Sequence, residues 1–258
     1  MLVIGARQMN AIRAETARTF EGEMVRHLAA FSPPLFKAIG EPQLREAIRF
    51  GVAAADRHGF TTRGPVRLYL ELMLLFGSRF DTDPQYPWAQ EILNERDSAP
   101  QAQRADVLYR RTLHFLEKVN GPNDTHTLAA LRRIRSFAAR PLPTATDGFA
   151  RSMFDEVCRI HPQKAAYLGV APLQALILEG GRGARSFGFS SPRAFTLMIA
   201  LMLAFGHGCT DDPLYPWISR TLRDPAIADP EARAGRLERK SLTWLDHVLA
   251  YFDGPAPP

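Results

Sequence analysis

The sequence predicts an all-α fold, a tandem duplication of one helical unit in a pseudo-twofold arrangement. Three observations lead there. Residues 20–119 recur without a gap at residues 149–248, each position mapping onto its counterpart by adding 129. A match of that length points to one duplicated folding unit. From Gly59 to Trp88, against Gly188 to Trp217, 13 of 30 positions are identical. Apolar residues recur at three- to four-residue spacing, and no alternating β-branched run marks a strand. The organisation expected is a first repeat over 1–121, a connector helix and linker over 122–146, and a second repeat over 147–258.

In the first helix, Met9, Ile12, Phe20, Met24, Leu28 and Phe31 describe one apolar face, matched in part by Phe149, Met153, Val157 and Ile160. Pro33 and Pro162 occupy equivalent positions and should end both helices. A second helix is expected from about Pro42 to His58, with its counterpart from about Pro172 to Phe187. Gly59 and Gly188 then provide left-handed caps without a Cβ penalty. Thr62 and Ser191 are natural N-caps of the third helices, Val66–Phe76 and Phe195–Phe205. These are apolar almost all round and belong at the centre of the fold.

The D-P-x-Y-P-W segments, Asp83 to Trp88 and Asp212 to Trp217, follow as turns whose prolines can open short helices. A last helix carries Leu108, Phe115, Leu116 and Val119, matched by Leu237, Trp244, Leu245 and Val248. Between the repeats, Leu128, Leu131, Ile134 and Phe137 have helical spacing, and RPLPTATDG behind them reads as a linker.

Composition narrows the class. At 258 residues and 46% hydrophobic content the chain can bury a sizeable core. The longest apolar run, Ala194 to Phe205, is too short to span a bilayer. The two cysteines, Cys158 and Cys209, have no cysteine counterparts in the first repeat, which reads as a reducing, cytoplasmic setting. The net charge is +5, with 28 Arg against 4 Lys. That balance admits acidic proteins or nucleic acid as partners.

No nucleotide-binding, hydrolase or paired-cysteine motif occurs, so neither a cofactor nor a catalytic residue is expected. GGRGARSFG (Gly180 to Gly188) is glycine-rich but lies where the first repeat is helical, and reads as a frayed or kinked helix end. Asp81, Asp83, Asp211 and Asp212 read as turn and capping residues. His207 and Cys209 are too few for a zinc site. Tyr86, Trp88, Tyr215 and Trp217 read as anchors holding their turns to the core. Arg132, Arg133 and Arg135 crowd the connector, where they read as a solvated helix face or, in the functional reading, as the contact with an acidic partner. The partner surface should lie where the repeats differ, at the connector and at the loops 78–82 and 207–211.

The stretches MVRHLAAF, LREAIRFGVAAADRHGF, LYLELMLLFGSRFDTD and PWAQEIL give the first repeat a resemblance to a group of uncharacterised bacterial helical proteins. In that group a similar single unit occurs near genes for secretion-system spike and toxin proteins, including those of type VI secretion. The second repeat departs from the pattern, with His207, Gly208 and Cys209 in place of Ser78, Arg79 and Phe80. The resemblance implies an accessory role beside a secreted effector and carries no catalytic residue. The expected function is a non-enzymatic protein-binding accessory protein, whether adaptor, chaperone or immunity protein, for a secreted toxin. The alternative is an arginine-rich nucleic-acid-binding protein.

Overall fold

A computed structural model describes residues 5–95, 99–140 and 148–253, and no strand occurs among them. The order is α1 (Ala6–Phe31), α2 (Pro33–Arg57), α3 (Arg63–Phe76), α4 (Pro87–Asn94) and α5 (Gln101–Phe115). The connector α6 (Thr125–Ala138) follows. Then come α7 (Phe149–Ile160), α8 (Pro162–Leu168), α9 (Val170–Ser186), α10 (Pro192–Phe205), α11 (Pro216–Leu222) and α12 (Pro230–Asp253). The linker expected behind α6 falls largely on residues 141–147, outside the described residues.

The core divides along the sequence repeat. One buried cluster runs from Met24 to Val119, the other from Ala130 to Leu237, and the first also takes in Leu214 from the second repeat. At the middle of each cluster lie α3 and α10, as their apolar circumference demands.

Local geometry repeats as well. Arg104 donates from its guanidinium to the carbonyls of Leu93 and His58, and Arg233 donates to those of Leu222 and Phe187. Every one of these pairs differs by 129. Each arginine gathers carbonyls freed where two other helices end, giving those acceptors a charged donor.

Four expectations need correction. Pro33 and Pro162 do follow the ends of α1 and α7, but they also open new helices at the first position, where a missing N–H costs nothing. Gly40 and Gly169, both near φ +76°, break the backbone behind them, so the second helix of each repeat is preceded by a short helical piece. Met9 and Ile12 are exposed among the described residues. The glycines of GGRGARSFG neither fray nor kink α9, which continues to Ser186. Gly180 is there for close approach: a Cβ would lie 2.6 Å from Cγ1 of Ile199 on α10, and its counterpart Gly51 would meet Leu70 and Met73.

Candidate interaction surface

The two loops in which the repeats differ face each other. Asp83 accepts the backbone N–H of His207 at 2.6 Å, and Asp212 accepts that of Ser78 at 2.8 Å. Each carboxylate also accepts within its own turn, Asp83 from the Gln85 amide and Asp212 from the Leu214 amide, both at 2.8 Å. Burial pushes both carboxyls above the usual range, against the pull of these N–H donors. His207 bridges further, with Nδ1 to Glu179 at 2.9 Å and Nε2 to Thr82 at 3.0 Å. The turn aromatics complete the seam. Phe76 stacks on Tyr86 at 4.5 Å and Phe205 on Tyr215 at 4.6 Å, anchoring both turns to the core. Ser78, Phe80, Asp81 and Cys209 of these loops are buried in the seam, while Arg79, Thr82 and Asp211 stay exposed.

The arginines of α6 stand on the outside but already have partners. Arg132 pairs with Asp253 at 2.5 Å and Arg135 with Asp246 at 2.6 Å, tying α6 to α12. Arg133 donates to the carbonyl of Ile160 at the end of α7. Among the described residues no group of three or more His, Cys, Asp or Glu could hold a metal. Burial raises the Cys209 thiol far above its ordinary value, which favours the neutral thiol over the thiolate. No helix among the described residues is long and apolar enough to cross a membrane.

The repeats also differ on the outer face of the first two helices. In the first repeat, Glu21 holds Arg45 at 3.0 Å and Arg49 at 3.1 Å, while Arg45 also holds Glu41 at 2.7 Å. Adding 129 to these four positions gives Ala150, Val170, Gln174 and Leu178, none of them charged. An ion-paired face has become a groove of about 480 Å³ between α7 and α9, floored by Phe154 and Ile177. Val170 and Leu178 remain 56% and 57% exposed on it. Arg151 and Asp155 stand at its rim. Sequence reasoning missed this surface, although aligning charges across the repeat would have shown it. Compared with known protein families, curated proteins and solved structures, the chain matches none.

Proposed function

We propose that the chain is a non-enzymatic protein-binding accessory protein and that the α7/α9 groove is where its partner docks. The observation that carries this reading is the replacement of Glu21, Glu41, Arg45 and Arg49 by Ala150, Val170, Gln174 and Leu178 on an equivalent face. The first repeat demonstrates that this architecture tolerates charges there. An exposed aliphatic pair is therefore no folding requirement, and grouped exposed apolar side chains rimmed by polar ones suit protein contacts. A partner helix presenting aliphatic residues at three- and four-residue spacing fits a groove between two helices. The resemblance of the first repeat supplies the partner class, a secreted bacterial toxin that the chain would serve as adaptor, chaperone or immunity protein. We also infer that the two repeats meet about a local twofold axis, on the strength of the reciprocal Asp83 and Asp212 contacts.

The test transplants the first repeat's charges. Ala150→Glu, Val170→Glu, Gln174→Arg and Leu178→Arg together should leave helix content intact. They should abolish co-purification with the product of a flanking gene that binds the native chain. Equal retention by native and grafted proteins would remove the groove from consideration. Failure of every flanking product to bind at micromolar concentration would remove the accessory reading. The nucleic-acid reading gains nothing from the connector, because Asp253 and Asp246 already occupy Arg132 and Arg135.

A further inference from the structure

Two adjoining cavities lie beneath α6, both walled by Leu131 and Ile134 of α6 and by Ala204 of α10. One, of about 80 Å³, is apolar, with Phe137, Leu197, Leu242 and Trp244 in its walls. The other, of about 130 Å³, carries Lys164, His161, Thr127 and Tyr86 among apolar neighbours. One water needs only about 10–15 Å³ by such a measure, so the second cavity has room for a head group and several carbons.

The polar end carries several donors, with the Asn120 amide beside them. Lys164 is 93% buried, at 7% exposure, and its ammonium reaches the Leu203 carbonyl only at 3.5 Å. It sits 5.5 Å from the centre of the Tyr86 ring. His161 Nδ1 accepts the Lys164 backbone N–H, so the ring proton is on Nε2. The Thr127 hydroxyl is buried and has no hydrogen-bond partner among the described residues. Burial holds the Tyr86 phenol protonated, a further donor. Among the described residues no carboxylate lines this cavity. Asp83, which favours the charge on Lys164, is itself taken up by the amides of Gln85 and His207. Folding does not ask for this cation. The equivalent positions in the first repeat are Leu35 for Lys164 and Ser32 for His161, and burying an ammonium without a close acceptor is unfavourable.

We propose that the space beneath α6 binds a small amphipathic carboxylate, an aliphatic acid whose chain lies along α10 and whose head group meets the Lys164 ammonium. A carboxylate there would accept from Lys164, His161 and Thr127, and the apolar cavity would take its chain. Burial draws Lys164 down to about 8, with Asp83 opposing, so at neutral pH the amine still carries its proton. Trp244 and the Arg193–Glu238 pair, 2.6 Å apart, stand at the far end.

The experiment is calorimetric titration of the full chain with decanoate and, separately, with decanol. Decanoate should bind at least about tenfold more tightly, the worth of one charge-assisted hydrogen bond. Lys164→Met should lose that preference while keeping its affinity for decanol. No binding of decanoate, equal affinity for the acid and the alcohol, or an unchanged preference in Lys164→Met would overturn the proposal. If Lys164→Met fails to fold, the comparison of acid with alcohol on the native chain decides alone. The partner reading can fail without touching this result, because decanoate binding needs no second protein.

Discussion

Asp83 and Asp212, 129 residues apart, each accept the backbone N–H that lies two residues past the other repeat's central helix. The bonds are short, the carboxylates are almost completely buried, and each acid also closes its own turn. Asp83→Ala should therefore strand two buried amides, those of His207 and Gln85. At about 1–3 kcal/mol for each orphaned group, less the relief of a buried acid, the loss should be roughly 2–4 kcal/mol. Asp212→Ala should behave alike through Ser78 and Leu214. Urea denaturation measures both, and a loss under about 0.5 kcal/mol in either would contradict the capping role.

Gly77 and Gly206 make the same seam from the backbone side. They sit at φ +93° and +88°, where a side chain is strained. A Cβ at Gly77 would strike the Phe205 carbonyl oxygen, and one at Gly206 would lie 2.8 Å from that of Phe76. Gly169 shares the positive φ, at +76°, but has open space around it. Gly169→Ala should cost only the strain of its backbone, at φ +76° and ψ −171°, about 1–3 kcal/mol. Gly77→Ala and Gly206→Ala should cost clearly more, because backbone must move. Equal melting temperatures for the three variants would show that the two central helix ends are not held in contact.

The helices and turns were readable from sequence because the signals that set them are local: apolar spacing, prolines at first turns, glycines behind helix ends. A signal present at both i and i+129 also carries twice the weight. Long-range properties were not readable. Nothing within the first turns of α1 says that Met9 and Ile12 stay exposed, since their spacing matches that of the buried Met24 and Leu28. Gly180 looked like a helix breaker because its role depends on Ile199, which approaches from another helix. Arg104 and Arg233 carry no local signal that sets them apart from the other arginines, yet they fill equivalent buried or half-buried positions. The retained arginine at both was the available clue. The α7/α9 groove appears only when charges are compared across the repeat, because each residue alone is an ordinary aliphatic.

Charge reversal at Arg132 and Arg135 would test partner binding poorly, since both arginines already tie α6 to α12. An exchange separates the two roles. Arg132→Asp with Asp253→Arg keeps an oppositely charged pair while inverting the outer face of the connector. Exposed pairs contribute about 0–1 kcal/mol, so the exchange should leave the melting temperature nearly unchanged. Partner affinity should then fall if the connector arginines make the contact, and stay the same if the partner uses only the α7/α9 groove. Affinity measured beside melting temperature distinguishes the two surfaces.

Acid should expose the cost of burying His161. Burial first, then the nearby Lys164, His126 and Arg133 charges, draw its imidazole down to about 3. A group with a lowered folded value takes up its proton more readily when the chain is unfolded. As pH falls below about 6.5 the unfolded state is therefore protonated while the folded state stays neutral, and stability declines. One such proton costs about 1.4 kcal/mol per pH unit, or roughly 2 kcal/mol by pH 5. Neither Lys164, drawn down to about 8, nor Glu231, drawn to about 2 by the Ser190 and Ser191 donors against burial, titrates within that window in the folded state. His161→Asn keeps an acceptor for the Lys164 backbone N–H, as Ser, Thr, Asn and Asp do at this position in other helices. The variant should lose less stability than the native chain between pH 7 and pH 5, by roughly 2 kcal/mol. Urea denaturation at the two pH values measures it, and an equal loss in both proteins would mean that His161 takes up its proton as readily in the folded chain as in the unfolded one.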